Sequence, residues 1–281
     1  MKISVQAGAD VTFSAALSVR QIWDVISGTS DAHAADEDLV KAVLDEATAR
    51  LDPRQLRILD LGGGAGNPGI GLAASGHDVT IVDNDASLLE AARTRAQTGA
   101  LRAVETDWRE FLRDAGGKGA QFDAILCLGN ALAYQDSWPD RELPDRPTVD
   151  CLRDTVAACK RVLAPGGFVL IEVALEPDRR TRWQYVRQLH TAQPSGRPRS
   201  SVWIVDCDPR SGRRAVDTII LEESRGALAD IDGRIEFVGH LVTSDTMSKL
   251  AQASEMHAEQ LRTWPRSFLE AFVLTPRANV K

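Results

Sequence analysis

The chain is predicted to be an α/β protein with a doubly wound, mostly parallel β-sheet and an antiparallel β excursion in its C-terminal part. Two observations predict this architecture. Between residues 56 and 175, short apolar segments alternate with segments of helical spacing, which is typical of βαβ units. After about residue 180, apolar runs are separated by turn clusters instead, which is typical of strands joined as hairpins.

The N-terminal region is predicted to be helical. Leu39, Val40 and Val43 belong to an apolar stripe with helical spacing, and the stretch "ISGTSDAHAADED" before them predicts a loop. Residues 1–50 are therefore expected to form an N-terminal helical cap segment.

Residues 51–178 are expected to form the core, in which five segments read as strands. The fourth is apolar throughout and is expected to be buried on both faces. The helix after the second strand is expected to be capped by Asp85 or Ser87, and the helix before the fifth strand to be stopped by Pro165 and Gly166. The five segments are "LRILDL", "HDVTIVD", "LRAVETDW", "FDAILCLGN" and "FVLIEVAL".

Residues 179–281 are expected to complete the sheet and to contain the antiparallel excursion. Three apolar runs are separated by turn clusters at 209–212 and at Asp232-Gly233, which predicts a meander. The segment "TMSKLAQASEM" is predicted to be a helix, and "SFLEAFVLTPR" a final edge strand.

Composition excludes several classes of protein. The chain has 281 residues and a net charge of −7, which argues against a protein that depends on the nucleic-acid backbone. The four cysteines form no C-x-x-C pair, and the sequence shows neither a signal peptide nor a long apolar run, so a cytoplasmic protein without a membrane segment is expected. The histidines and serines form no hydrolase motif and no metal-ligand cluster is evident, so no metal is expected.

A glycine-rich loop follows the first predicted strand, and its glycines fit two patterns. Asp60, Gly62, Gly64 and Gly66 spell D-x-G-x-G-x-G, whereas Gly64, Gly66 and Gly69 spell G-x-G-x-x-G. In a parallel sheet such a loop lies at the carboxyl edge, where the backbone can approach a ligand closely. The first pattern favours a methyl donor and the second a dinucleotide.

Acidic residues at the strand ends favour the methyl donor. Asp60 lies two residues before the first glycine, where a carboxylate suits a cationic ligand and would repel a pyrophosphate. Asp83 ends the second strand, which suits ribose hydroxyls for either type of ligand. Asp107 and Trp108 follow the third strand, where an acid can accept from an exocyclic amine and an indole can stack on adenine.

With these motifs, residues 20–175 resemble the class I S-adenosylmethionine-dependent methyltransferases. The segments "LDLGGGAG", "VTIVDND", "TDW", "FDAILCLGN" and "RVLAPGG" occur in the order and spacing of that family. The resemblance implies the family's seven-stranded sheet, a Rossmann-like core at 51–178 and S-adenosylmethionine as methyl donor. It implies that the donor contacts Trp23, His33, Asp60, Gly62, Gly64, Asp83, Asn84, Asp107, Trp108, Leu128 and Gly129.

Within this class the chain is most similar to the glycine/sarcosine N-methyltransferases. The segment "IWDVISGT", with Trp23, resembles the part that those enzymes fold over the donor, and "FDAILCLGNALAY" resembles their fourth strand, where an asparagine, here Asn130, faces the acceptor. Two arginines of the family are missing. His33 stands for the one that holds the donor carboxylate. Ala174 and Leu175 stand where the acceptor carboxylate would find its arginine, so glycine itself is not expected to be the acceptor.

The acceptor is expected to be a small molecule, with N-methylation of an amine preferred. It is expected to bind between Asn130, Tyr134, Glu172 and the segment around Trp183 and Tyr185. A neutral amine is needed for attack, and Glu172 or a tyrosine could take its proton; for Glu172 a strand-end ion pair is the alternative. O-methylation, an RNA or protein acceptor bound by the arginines at 179–199, and a donor-binding protein without turnover are the other hypotheses. A homo-oligomer is left open.

Overall fold

The computed structural model describes residues 30–51, 55–96, 99–137, 142–174, 181–189, 199–222, 230–266 and 269–277. Its helices are α1 (Ser30–Arg50), α2 (Gly69–Ala74), α3 (Ala86–Arg95), α4 (Trp108–Gly117), a 3-10 turn (Ala131–Tyr134), α5 (Thr148–Arg161) and α6 (Ser244–Ala253). Its strands are β1 (Arg57–Leu61), β2 (Asp78–Asp83), β3 (Leu101–Glu105), β4 (Phe122–Cys127), β5 (Leu163–Val173), β6 (Thr181–Leu189), β7 (Arg199–Asp208), β8 (Arg213–Glu222), β9 (Asp230–His240), β10 (Met256–Gln260) and β11 (Glu270–Pro276).

Seven strands form one sheet in the order β10-β11-β5-β4-β1-β2-β3. The pairs β1–β2, β1–β4, β2–β3 and β4–β5 are parallel, whereas β11 runs antiparallel to both β5 and β10. Strand β10 is therefore parallel to β5, and the connection from β10 to β11 lies at the carboxyl edge of the parallel strands. The predicted doubly wound sheet is confirmed.

Alternation along the strands separates two apolar layers. Leu59 and Leu61 point into one core, which the helices α4, α5 and α6 cover, and Ile58 points into the other, which α1, α2 and α3 cover. The same alternation of side chains along β5 places Leu170 in the second layer. Asp60 and Glu172, two residues beyond Ile58 and Leu170, therefore lie on the α1 side of the sheet.

Four local predictions were wrong. Residues 30–38, part of the stretch predicted to be a loop, already belong to helix α1. The segment at 269–277 is not an edge strand, because β10 pairs with its outer side, and β10 itself was not predicted. Strand β5 begins at Leu163, and helix α5 already ends at Arg161, because the carbonyl of Val162 accepts a hydrogen bond from the amide of Phe122 (2.8 Å). Residues Asp232-Gly233 lie within β9, not in a turn.

The antiparallel excursion is a four-stranded sheet with the order β6-β7-β8-β9. The predicted turn at 209–212 joins β7 to β8, with the amide of Arg210 donating to Asp208 (3.1 Å). The predicted division of the chain at residues 50 and 178 remains a prediction. By its contacts the chain forms two compact units, and the larger comprises 31–182, 206–215 and 237–281.

All four cysteines are free and buried, as expected from their spacing. Burial raises the pKa of Cys127 and Cys151, and it raises that of Cys159 to about 12. Among the helices that the structure describes, none is long and apolar enough to cross a bilayer.

Candidate active site

The glycine loop after β1 is held in a conformation that favours glycine. Gly62, Gly64 and Gly66 have φ values of 69°, 50° and 96°, in the left-handed region. A Cβ on Gly63 would lie 2.7 Å from a carboxylate oxygen of Asp60, so the loop packs directly against that side chain. The loop thus places backbone amides at the carboxyl edge, as the first glycine pattern predicts.

Asp60 is a buried carboxylate, and its Oδ2 has no hydrogen-bond partner among the described residues. Burial, together with the charge of Asp83, raises the pKa of Asp60 to about 7, and the positive charge of Arg266 opposes this rise. A buried ionised group without a partner is costly, so the site is suited to a ligand cation at this oxygen. Asp60 is the clearest sign of a ligand in the described part of the chain.

Asp83 stands at the end of β2, next to the loop. Its carboxylate accepts hydrogen bonds from the amides of Gly64 and Asp85 (both 2.9 Å). Burial raises its pKa, and these backbone hydrogen bonds act in the opposite direction. The exposed Asn84 follows it and lines an open surface cavity of about 510 Å³ together with Asp107 and Arg109.

Asp107 and Trp108 lie at the start of α4, and both already have contacts within the protein. Asp107 caps the helix by accepting from the amide of Arg109 (2.8 Å), and it also forms an ion pair with the Arg109 side chain (2.9 Å). Trp108 is buried in the core, and its ring lies 3.1 Å from where a Cβ on Gly62 would stand. The indole therefore packs against the glycine loop at Gly62 from the side of the core. Its contact with adenine remains a prediction.

The loop after β4 carries Leu128, Gly129 and Asn130. Gly129 and Asn130 both have positive φ values, 65° and 63°, and a Cβ added to Gly129 would point into open space, with no atom within 4 Å apart from its chain neighbours. Asn130 is buried, its side-chain oxygen accepts from the amide of Ala174 (3.0 Å), and its own amide donates to the carbonyl of Glu172 (3.1 Å). The side chain thus ties the end of β4 to the end of β5.

Glu172 is fully buried and accepts three hydrogen bonds. They come from the amide of Gly129 (2.6 Å), the indole of Trp264 (2.6 Å) and the guanidinium of Arg266 (2.7 Å). Trp264 and Arg266 lie on the connection between β10 and β11. The sequence did not reveal them, because β10 was not predicted and only the antiparallel pairing of β11 with β5 brings them to Glu172.

Tyr134 lies on the 3-10 turn that follows Asn130. Its ring is buried, contacts Phe237 edge to face at 5.1 Å and fits over Gly239, where a Cβ would clash with it. The hydroxyl accepts a hydrogen bond from the buried guanidinium of Arg214. Tyr134 therefore combines a packing role with a polar contact to a cation.

A buried polar network continues from the 3-10 turn. Asp136 interacts with Arg109 (2.5 Å), His240 (2.8 Å) and Gln135 (3.2 Å). Asp136, His240 and Cys151 bring metal-ligand atoms within 4.8 Å of one another. Each of the three has a partner within the protein, since Asp136 and His240 bind each other and the Cys151 thiol donates to a backbone carbonyl (3.8 Å). The network is therefore satisfied without an ion. The absence of a metal remains a prediction.

Two further predicted donor contacts cannot be placed. Trp23 lies outside the described residues, and so does the side chain of His33, although His33 belongs to α1. Of the segment around Trp183 and Tyr185, the backbone forms β6 and the two side chains are not described. The structure thus brings together the predicted residues on β1, β2, β4 and β5.

Comparison with known proteins supports the class expected from the sequence. Residues 58–167 match the family described as "Methyltransferase domain". This match covers less than half of the chain. Together with the sheet order and the glycine loop described above, it agrees with the resemblance of residues 20–175 to the class I S-adenosylmethionine-dependent methyltransferases. The resemblance and the fold class expected from the sequence are confirmed at this level.

Individual relatives share only part of the chain. Over 118 residues the chain is 33% identical to a glycine/sarcosine N-methyltransferase of Halorhodospira halochloris, covering 41% of the chain and 39% of that protein. Over 151 residues it is 31% identical to a ubiquinone biosynthesis O-methyltransferase of Xanthomonas oryzae pv. oryzae, covering 53% and 54%. The chain thus spans between two fifths and about half of the length of these relatives.

A solved structure is similar over nearly the whole chain. It is that of CalS10, an amino pentose methyltransferase from Micromonospora echinaspora involved in calicheamicin biosynthesis, with bound S-adenosylmethionine. The TM-score is 0.67 at 21% sequence identity, and the match covers 94% of this chain and 98% of that one. At this identity the similarity concerns the fold.

Proposed function

We propose that the protein transfers a methyl group from S-adenosylmethionine to the amino nitrogen of a small molecule. The observation that carries the proposal is the unpartnered, buried oxygen of Asp60 beside the glycine loop. The donor carries a sulfonium and an ammonium, and a site with ionisable carboxylates lowers the cost of bringing both charges out of water. Asp60 would bind the ammonium, and Asp83 the ribose hydroxyls.

The acceptor would bind above the loop of Leu128, Gly129 and Asn130. Both residues with positive φ in this loop are fixed from β5, Gly129 through the carboxylate of Glu172 and Asn130 through the amide of Ala174. A loop held in this way can keep the acceptor in line with the donor's methyl group. Positioning of this kind supplies a large part of the rate enhancement in a displacement reaction.

In the reaction the lone pair of the amine attacks the methyl carbon opposite the sulfur. A C–N bond forms as the C–S bond breaks, and the bonding electron pair goes to sulfur. The positive charge passes to nitrogen, which then loses a proton. Glu172 is fully engaged by three donors, so we assign it to positioning. Tyr134 is the candidate proton acceptor: its oxygen, already in contact with the guanidinium of Arg214, would take the proton from nitrogen when the hydroxyl is ionised and would become the neutral phenol.

An amine is favoured as acceptor over a phenol, since the named relative with the higher identity is an N-methyltransferase and the solved neighbour acts on an amino sugar. O-methylation is the second candidate, because the ubiquinone O-methyltransferase matches a longer part of the chain. An RNA or protein acceptor is not favoured, given the net charge of −7. Oligomeric state and a cytoplasmic location stay predictions.

The test is transfer of label from S-adenosylmethionine to a panel of amino sugars, amino acids, simple amines and phenols. Label on amines supports the proposal, and label on phenols alone supports the second candidate. If the protein binds S-adenosylhomocysteine but labels nothing in the panel, while an RNA or protein extract is labelled, the small-molecule proposal is wrong.

A further inference from the structure

Arg266 is a cation at the carboxyl edge whose hydrogen-bonding capacity is only partly used. One terminal nitrogen donates to Glu172 (2.7 Å), and the remaining N–H groups make no hydrogen bond to any described residue. The side chain is 21% exposed, whereas its partner Glu172 is fully buried. The guanidinium is thus anchored on one side and reachable on another.

The anchoring of Arg266 fixes its direction. Trp264, two residues before it, donates to the other oxygen of Glu172 (2.6 Å), so the chain segment is held at two points. The carbonyl of Arg266 accepts from the amide of Leu269 (3.2 Å), just before β11 begins beside Val173. A planar guanidinium held in this way loses little freedom when it binds a second anion, and its paired N–H groups match a carboxylate.

Arg266 also lies within electrostatic reach of Asp60, since its charge acts on that carboxylate. Asp60 and Glu172 occupy the same face of the sheet, on strands that both neighbour β4. A buried carboxylate with one unpartnered oxygen and a cation with unused N–H groups therefore lie at the same carboxyl edge of the sheet, where the loops after β1 and β4 meet. Such a pair suits a group with both an ammonium and a carboxylate.

We propose that Arg266 is the carboxylate-binding residue of the candidate active site. Two ligands of the proposed reaction can bring this chemistry: the methionine part of the donor, and an acceptor of the amino-acid type. The inference rests on the proposed function and deepens it, because it supplies from the β10–β11 connection the cation that the sequence lacks at Ala174 and Leu175.

The experiment compares ligands that differ in the amino-acid group. Calorimetry would measure S-adenosylhomocysteine and 5′-methylthioadenosine, which lacks that group, against the wild type, Arg266→Gln and Arg266→Lys. If Arg266 binds the donor carboxylate, Arg266→Gln weakens S-adenosylhomocysteine on the order of 10- to 100-fold and leaves methylthioadenosine unchanged. Arg266→Lys keeps the charge beside Glu172 and should lose less.

A second arm addresses the acceptor. With S-adenosylhomocysteine bound, sarcosine and sarcosinamide, which differ in the carboxylate, would be titrated into the same variants. If Arg266 binds the acceptor carboxylate, Arg266→Gln weakens sarcosine alone by a similar factor and leaves S-adenosylhomocysteine unchanged.

Arg50→Gln is the matched control, because Arg50 is 22% exposed and forms ion pairs with Glu46 and Glu259. It should change none of these affinities. Thermal unfolding of Arg266→Gln and Arg266→Lys would show whether both fold. The lysine variant keeps the test valid if the glutamine variant does not.

Equal weakening of S-adenosylhomocysteine and methylthioadenosine would mean that Arg266 acts only through Glu172, and it would overturn the proposal. So would unchanged binding of every ligand in both variants. If the wild type binds neither S-adenosylhomocysteine nor sarcosine, the proposed function fails together with the inference, and these outcomes are distinguishable.

Discussion

The two halves of the candidate site differ in how their buried charges are compensated. On the side of β1 and β2, Asp60 has an oxygen with no partner in the described chain, and burial raises the pKa of both Asp60 and Asp83. On the side of β4 and β5, Glu172 is equally buried but accepts three hydrogen bonds, one from Arg266. In the first half a buried carboxylate oxygen is left for a ligand, whereas in the second the carboxylate of Glu172 is fully hydrogen-bonded within the protein.

From this difference we expect one set of residues to bind the ligand and the other to position the loop after β4. A carboxylate that is costly in the empty protein gains most when a cationic ligand arrives, so it contributes to affinity. A carboxylate that is satisfied in the empty protein contributes stability and geometry. Removing the charge should therefore have opposite effects on stability in the two halves.

The largest effect is expected for Asp60→Asn. The variant should bind S-adenosylhomocysteine on the order of 100-fold more weakly, because the ammonium loses its partner. At pH 8 the ligand-free variant should be more stable than the wild type, by up to about 4 kcal/mol, since the pKa rise from 3.8 to about 7 is the cost of the buried charge. Calorimetry and urea unfolding measure both.

The exposed Asp78→Asn, on β2, is the control and should change neither quantity. A loss of stability in Asp60→Asn at pH 8, with unchanged affinity, would contradict the contrast drawn between the two halves.

The second effect concerns Glu172→Gln, which should lower the free energy of unfolding by about 3 kcal/mol. One partner of a buried ion pair is removed and Arg266 keeps its charge without compensation. Glu259→Gln is the control, because Glu259 is exposed and pairs with Arg50 at the surface. If Glu172→Gln is as stable as the wild type but loses turnover, Glu172 is a base and not a positioning residue.

The third effect is a pH dependence of donor binding that results from ionisation of the Asp60 carboxyl. Donor binding requires the ionised carboxylate, so below pH 7 the affinity for S-adenosylhomocysteine should fall about tenfold per pH unit and level off above it. Asp60→Asn should remove the slope.

Ionisation of Asp60 should also make the stability of the ligand-free protein depend on pH. Folding raises the pKa of Asp60, so between about pH 4 and pH 7 the carboxyl is ionised in the unfolded chain but still protonated in the folded protein. The free energy of unfolding should therefore decrease as the pH rises through this range. A flat binding profile in the wild type would mean that Asp60 does not contact the ligand.

The fourth effect separates the backbone of Asn130 from its side chain. Asn130→Ala loses the bond to Ala174 and places alanine at a φ of 63°, whereas Asn130→Gly loses only the side chain. The glycine variant should be more stable than the alanine variant by about 1 kcal/mol. Both should lose turnover equally if the side chain orders the acceptor loop. Full activity of either variant would remove Asn130 from the site.

The smallest effect is expected for Tyr134→Phe, which keeps the ring contact with Phe237 and removes only the hydroxyl. Stability should fall by about 1 kcal/mol. A loss of kcat that increases towards high pH, where an ionised hydroxyl can accept a proton, would support this role of Tyr134. An unchanged pH profile of kcat would leave Tyr134 as a packing residue.

The sequence predicted the part of the fold that depends on local patterns. Strands β1 to β5 and the helices between them follow from hydrophobic spacing, and the cap at Asp85, whose carboxylate accepts from Ser87 and Leu88, follows from residue type. Strand β10 (Met256–Gln260) was missed, since its sequence, MHAEQ, has little β-branched or aromatic content and three of its five residues are exposed.

The site was predictable to a similar degree. Asp60, Asp83 and Asn130 could be selected as candidates because they lie at or near the ends of strands that meet at one edge of the sheet. Trp264 and Arg266 were not, because their contact with Glu172 joins residues more than 90 positions apart and depends on the pairing of β11 with β5. The ion-pair alternative for Glu172 was recognised in the sequence, but its partner was not.

The burial of all four thiols gives this protein a built-in reporter of conformational opening. A thiol reagent reaches Cys127, Cys151, Cys159 or Cys207 only when the surrounding structure separates, because each is sequestered in the folded state. Labelling rates resolved by mass spectrometry would then yield local opening free energies without any introduced probe. Protection of Cys127, at the end of β4, on adding S-adenosylhomocysteine would show how far ligand binding rigidifies the sheet.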